Sequence, residues 1–421
     1  MSLKRIILNA YYLAASLIFL IEATTFIKRN GDQIWFAERA QHLNYNYLGF
    51  AIERYMTWSS RLLIESATMY FSVHTILFQV VLFIGSFVFL KLFKNYFFKG
   101  NLILELTLPI LFLATFFPDT YTSAGLIATV TNYLFPTFTF MIAWYMTEKR
   151  GPKWFYASIP FWIFTCMQEQ FAIITFILCL FLLGRELLMA KGKVKMLNVY
   201  RLSAFGFGIL GILSALVSPG SDIRSKSEIT SWYSQFSKLT VLDKIYQGFV
   251  ETNRMVFLNL TFSVVFLLLA ALVLLAFLKR DWISGLISLA VSALLILTKL
   301  EMIDWLKSII KAITVKDIYK GLVYNLAKQD WLTPTLFFLV LILLLVIVIF
   351  RVFDKSHAYL AFSMVAAGYA SRMLISFSPT IYVSEERTYT PLIFTLFFVL
   401  IMASLDIYNE LRKPFLKSEE I

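Results

Sequence analysis

The chain has 421 residues, of which 59% are apolar and 15% charged, and its formal net charge is +12. Soluble domains carry about 45–50% apolar and about 25% charged residues, so a soluble fold is excluded: too little polar surface is present to enclose this much Leu, Ile and Phe. The basic excess does not point to nucleic acid either. In a chain of this kind it marks the cytoplasmic lipid surface.

What remains is an all-α integral membrane protein. Apolar runs long enough to cross a hydrocarbon core of about 30 Å recur over the whole length. Their backbone must be helical, because lipid offers no hydrogen-bond partners. They predict about 12 transmembrane helices in a single polytopic domain over 1–421. In chain order the predicted spans are 6–26, 73–93, 102–117, 125–147, 154–168, 171–190, 200–217, 256–278, 282–299, 334–352, 357–378 and 389–408. The first follows a basic start at Lys4 and Arg5 and continues to Phe26 without a small-residue cleavage site. It therefore reads as a retained span and not as a signal peptide. Cys166 and Cys179 fall inside apolar runs and read as packing residues. His42, His74 and His357 are too scattered to form a metal site, so no cofactor is expected and the sequence leaves a divalent metal open.

Sidedness follows from Lys and Arg in short loops. One set of ends is basic, with Lys91, Lys94, Lys99, Lys149, Arg150, Lys153, Arg185, Lys191, Lys193, Lys195, Arg201, Lys279, Arg280, Arg351, Lys355, Arg412, Lys413 and Lys417. The short opposite ends near 118–124 and 167–170 carry none. Both termini are thus predicted to be cytoplasmic, and long segments at about 27–72, 218–255 and 300–333 to lie outside. Amphipathic interfacial helices are expected in the first of these and again near 303–328. In the latter, Leu306, Ile309, Ile310 and Ile313, then Ile318, Leu322 and Leu326, recur at helical spacing among five lysines.

Polar clusters mark the predicted outer ends of the spans, where charges are costly and their placement informative. Asp32 stands at the exit of the first span, followed by Trp35 and Phe36. It reads either as a catalytic base beside the headgroups or as a loop acid solvated next to Lys28 and Arg29. Arg61, in the run Trp58 to Arg61, reads as a two-pronged phosphate ligand or as a snorkelling arginine. Thr131, Asn132 and Tyr133 offer groups that bind sugar hydroxyls, or polar glue between helices. Pro136 just after them should break or kink the helix. Glu169 and Gln170 lie between apolar runs with no basic neighbour, so Glu169 needs a partner from elsewhere, in a site or in a structural ion pair. Arg224, after Pro219 and Gly220, and Arg387, after Glu385 and Glu386, place two further guanidiniums at the outer interface. With Arg61 they can converge on one anion.

In this order Asp32, Trp58 to Arg61, Thr131 to Pro136, Glu169 with Gln170, Pro219 to Arg224 and Arg387 resemble the bacterial GtrII-like and allied polytopic glycosyltransferases of the GT-C superfamily. The resemblance covers nearly the whole chain as an order of short motifs. It departs in one place: relatives often carry paired acids after the first span, whereas here Gln33 follows Asp32 and Glu38 is the next carboxylate. The resemblance implies a GT-C-like fold and a transferase that takes a sugar from a polyprenyl-phosphate carrier and adds it to a cell-envelope glycan acceptor on the outer face. Asp32 is then the catalytic base, Arg61, Arg224 and Arg387 hold the donor phosphate, and Asn132, Tyr133, Glu169 and Gln170 contact sugar or acceptor. The lipid-linked sugar is substrate and membrane lipid the surrounding partner.

Two other function classes fit the same outline. A transporter or flippase of lipid-linked glycan would also have a dozen helices with both ends inside. It should, however, carry ionisable residues at mid-membrane and repeated halves, whereas here Glu105 and Arg372 are the main intrusions and no repeat is visible. A polysaccharide polymerase should rely on arginine-rich outer loops without an acid after the first span.

Overall fold

The computed structural model describes residues 3–26, 31–98, 100–192, 197–259 and 262–418. Lys28, Arg29, Lys99, Lys193 and Lys195 lie outside the described residues. Secondary structure among the described residues is helical throughout, without strands.

Among the described residues, eight helices are long and apolar enough to cross a membrane: Leu3–Thr24, Thr75–Phe98, Leu126–Lys149, Glu169–Met189, Val199–Val217, Leu332–Val352, Lys355–Phe377 and Glu386–Lys413. Val241–Leu258 and Ser263–Leu278 form a pair bent by 68°, which counts as a ninth when taken as one span. The predicted twelve are therefore not reached by full-length helices. Predicted spans 102–117 and 154–168 are the shorter helices Leu102–Thr115 and Pro152–Cys166, each about 21–23 Å long at 1.5 Å per residue. The first stops ahead of Pro118, and the second at Gln168, whose side chain caps the next helix by accepting from the Phe171 N–H. Predicted span 282–299 is the helix Trp282–Lys299.

The described chain divides into two compact units, Met1–Ser227 with Glu385–Phe394, and Glu228–Ser384 with Thr395–Ile421. The first unit begins with α1 (Leu3–Thr24) and then three short helices, α2 (Asp32–His42), α3 (Tyr47–Thr57) and α4 (Leu62–Val73). α5 (Thr75–Phe93) continues as a π-turn to Phe98, and α6 (Leu102–Thr115) returns along α1, where the Tyr12 hydroxyl donates to the Glu105 carbonyl at 2.8 Å. Next come α7 (Asp119–Thr122), α8 (Leu126–Thr129), a π-turn over Val130–Leu134 and α9 (Phe135–Lys149). The helices α10 (Pro152–Cys166), α11 (Glu169–Met189), α12 (Val199–Val217) and α13 (Pro219–Trp232) follow, and α20 (Thr390–Ser418) starts in this unit. Aromatic side chains fill the interior: Phe394 meets Phe140, Phe171 and Phe89 at ring separations of 5.3, 6.0 and 6.3 Å.

The first outer segment is helical, as predicted. On α3 the apolar Leu48 and Ile52 are exposed, as on the lipid-facing side of an interfacial helix, whereas Phe50 and Ala51 are buried. Phe36, Ala40, Phe50, Met69 and Ala128 form the core that binds α2, α3, α4 and α8 together.

The second unit holds α14 (Val241–Asn253), α15 (Ser263–Leu278), α16 (Trp282–Lys299), α17 (Asp304–Ile313), α18 (Leu332–Val352) and α19 (Lys355–Met373). α14 opens with a capping box in which Thr240 and Asp243 satisfy each other's backbone N–H groups. α17 is the amphipathic helix predicted in 303–328, with Leu306, Ile309 and Ile313 buried. The second helix predicted there does not form. Asp317 closes a turn instead: its carbonyl accepts from the Lys320 and Gly321 N–H groups and its side chain from Tyr319. Side-chain bonding of this kind competes with helix propagation.

Candidate functional site

A pocket of about 390 Å³ in the first unit is lined by Asp32, Trp35, Phe36, Arg54, Trp58, Arg61, Glu65, Ala124, Ala128, Thr129, Asn132, Tyr133, Arg224 and Arg387. Six residues singled out in the sequence, Asp32, Arg61, Asn132, Tyr133, Arg224 and Arg387, therefore share one cavity although they span most of the chain.

Asp32 is placed by backbone contact. It is the first residue of α2, and its N–H donates to the Ala124 carbonyl at 3.1 Å. The preceding Gly31 lies so close to Gly125 that a Cβ on Gly31 would stand 2.5 Å from the Gly125 Cα. Gly125 has φ +89° and is also covered by the Gln33 amide, so two glycines are required where these chain segments touch. Asp32 is exposed by surface area, yet protein crowds the side of it that lines the pocket. Partial burial raises its carboxyl above the ordinary carboxylate value, and Arg387, Arg54 and Arg224 oppose the rise. Gln33, where relatives of the resembled type carry a second acid, is buried. Glu38 is exposed and does not line the pocket.

Arg61 is fully engaged. Its Nε and Nη2 contact Glu169 Oε2 at 2.8 and 2.7 Å, and its Nη1 donates to Asn132 Oδ1 at 2.8 Å. Ser60 donates to the other Glu169 oxygen at 2.8 Å, and the Tyr133 ring lies 5.9 Å beneath the guanidinium. Burial alone would weaken the charge on Arg61, but Glu169 outweighs it and raises the pKa. Glu169 thus finds the partner that its position demanded, in an ion pair that uses the donors a phosphate would need. Gln170 points elsewhere and donates to the Thr388 carbonyl at 2.9 Å. It ties down the 385–394 segment, which Thr390 also fastens by donating to the Thr120 carbonyl.

Asn132 and Tyr133 sit in the π-turn, with Pro136 two residues into the helical stretch that follows. Pro136 removes one backbone donor, and the wider turn, in which the Phe135 N–H reaches back to the Val130 carbonyl, absorbs the defect without a break. Thr131, between them, is buried against Thr68 with 2.6 Å between hydroxyls and serves packing.

Arg224 is set by the close approach of α13 to the end of α3. A Cβ on Gly220 would lie 2.3 Å from the Trp58 N and 2.7 Å from the Tyr55 carbonyl oxygen. Ser218 donates to that same Tyr55 carbonyl. The Arg224 guanidinium then lies 5.6 Å over the Trp58 ring. Arg387 occupies a short helical turn, Glu386–Tyr389, and donates to the Ser123 hydroxyl at 3.2 Å.

Sequence reasoning missed Arg54 and Glu65. Arg54 lies on the buried face of α3, three residues from Ala51 and four from Phe50, and its Nε donates to Glu65 Oε2 at 3.1 Å. The rings of Trp58, Trp35, Phe50 and Phe36 stand 5.1, 5.4, 5.9 and 6.0 Å from its guanidinium carbon. The available signal was the pairing of a charge with the helix face that carries Phe50 and Ala51. It was obscured by the longer stripe of Leu48, Ile52 and Tyr55 on the opposite face.

Comparison with known protein families, with curated proteins and with solved structures finds no match to this chain.

Proposed function

We propose that the chain is a membrane glycosyltransferase of the GT-C type, moving a sugar from a polyprenyl-phosphate carrier to a cell-envelope glycan on the outer face. One observation carries the reading: Asp32, a carboxylate with no ion pair among the described residues, shares a pocket with Arg54, Arg224 and Arg387, whereas the other carboxylate there, Glu65, is paired with Arg54. The chemistry needs one base and several cations. The acceptor hydroxyl attacks the anomeric carbon, forming the new C–O bond as the bond from that carbon to the phosphate oxygen breaks. Asp32 takes the hydroxyl proton, and the departing phosphate keeps the electron pair. That phosphate is already anionic, so cations and not an acid stabilise it. Arg224 and Arg387 serve this role, while Arg61 with Glu169 and Asn132 makes one wall of the pocket. In this reading α6, α10 and α16 complete twelve crossings together with the eight long helices and the bent pair, and both termini are cytoplasmic.

The test is reconstitution of the purified protein in liposomes with a polyprenyl-phosphate sugar and a glycan acceptor. Formation of a new glycosidic bond that requires Asp32 supports the reading. Movement of an intact lipid-linked glycan across the bilayer with no new bond refutes it in favour of a transporter.

A further inference from the structure

The pocket contains two arginines whose surroundings differ in a way that bears on anion binding. Arg61 spends every guanidinium nitrogen on Glu169 and Asn132. Arg54 uses Nε alone, toward Glu65, and its two Nη groups make no hydrogen bond among the described residues. Both Arg54 and Glu65 line the pocket, and their side chains are only 16% and 7% exposed. The guanidinium is therefore oriented by Glu65 on one edge and crowded by four aromatic rings, with its remaining donors unspent. A carboxylate on Nε leaves the Nη pair as the natural fork for a second oxyanion. Burial has already lowered the Arg54 pKa against the pull of Glu65, so an incoming anion would restore charge balance.

We propose that Arg54, through its Nη groups, is the principal anchor for the phosphate of the lipid-linked donor, with Glu65 and Trp58 as positioning residues. The inference rests on the transferase reading of the pocket but assigns it a residue which that reading does not supply. Two features favour a lipid-borne phosphate over a free one. Trp35 both lines the pocket and is exposed. On the same two helices as Trp35 and Arg54, α2 and α3, the apolar side chains Ile34, Leu48, Ile52 and Met56 are exposed and suited to an isoprenoid chain.

The experiment measures binding of farnesyl phosphate, farnesol and inorganic phosphate to the full-length protein in detergent by titration calorimetry. Wild type should bind farnesyl phosphate more tightly than either of the other probes. Arg54→Lys should weaken farnesyl phosphate binding by roughly ten- to a hundredfold, the loss expected for hydrogen bonds to a charged group, while farnesol binding stays unchanged. If Arg54→Lys does not fold, the double variant Arg54→Met with Glu65→Gln removes both charges together and strands neither. It should show the same selective loss. Arg39→Gln, in an exposed pair with Glu53, is the control and should bind as wild type. Unchanged farnesyl phosphate binding in the Arg54 variants overturns the anchor. Equal affinity for inorganic and farnesyl phosphate overturns the lipid-linked ligand. Sugar transfer is assayed separately, so the two ideas fail separately. Arg54-dependent binding without any transfer sinks the transferase reading and leaves the anchor. Transfer that persists with Arg54-independent binding does the reverse.

Discussion

Glu169→Gln separates a structural from a catalytic role for the Arg61 pair. The substitution keeps side-chain shape and removes the charge that faces Arg61. The two side chains are 13% and 23% exposed and meet at 2.7 Å. Breaking a fully buried pair by deleting one partner costs about 3–5 kcal/mol, and partial exposure here reduces that to about 2–3 kcal/mol. Arg61→Met alone should cost a similar amount, because it leaves Glu169 with only Ser60 as a side-chain partner. The double variant should recover much of the loss, giving a coupling of about 1–3 kcal/mol, within the range seen for residues in one network. The assay is a double-mutant cycle on the thermal unfolding midpoint in detergent, with donor binding measured on each variant at a temperature where it is folded. Strict additivity in stability would refute the wall. So would loss of donor binding in Glu169→Gln at unchanged stability, which would return Arg61 and Glu169 to direct substrate contact.

Other outcomes follow from the same geometry. Asp32→Asn should reduce sugar transfer by about 100- to 10,000-fold, the usual range for loss of a general base, with farnesyl phosphate binding retained; wild-type turnover in this variant would remove Asp32 as the base. Because burial raises the Asp32 pKa above 3.8, the base is protonated and inactive at acid pH. Transfer should rise with pH through a midpoint above 3.8, and a pH–rate profile lacking that acid limb would contradict the assignment. Gly220→Ala should push α13 away from the Tyr55 and Trp58 backbone and reduce donor binding by displacing Arg224, which calorimetry with farnesyl phosphate would read. A cysteine placed at Lys311 should be labelled from outside the cell, and labelling only from the cytoplasm would reverse the proposed orientation of α17.

Much of the helical class was legible because apolar run length speaks directly to bilayer thickness. Span number was less legible, since the apolar helices Leu102–Thr115 and Pro152–Cys166 stop short, one ahead of Pro118 and the other at the cap made by Gln168. At the site, residues at the ends of long apolar runs were easy to select, because a charge stands out there. Asp32, Arg61, Arg224 and Arg387 all belong to this kind, and they line one pocket. Partnerships were harder to read. Nothing local to Glu169 announces Arg61, more than a hundred residues away, and nothing local to Arg54 announces Glu65 across the turn between α3 and α4. Arg54 was also hidden by an amphipathic helix whose more apolar face turns outward, which inverts the rule that serves for soluble proteins.

The π-turn at Val130–Leu134 has a consequence for how this chain tolerates change in length. A turn of that width holds one residue more than an α-helix would over the same rise. Removal of any single residue between Val130 and Leu134 would restore the α-helical ladder over nearly the same rise, so the flanking helical faces would keep their mutual orientation while the side chains inside the turn changed position. Asn132, inside the turn, would swing away from Arg61, whereas the Phe138 and Phe140 faces of α9 would keep their aromatic neighbours. Pro136 adds a second penalty, because a regular helix has no donor for the carbonyl four residues before it. This segment should therefore accept conservative replacements far more readily than deletions, and natural relatives of this chain should keep its residue count between Gly125 and Pro136 even where their side chains differ.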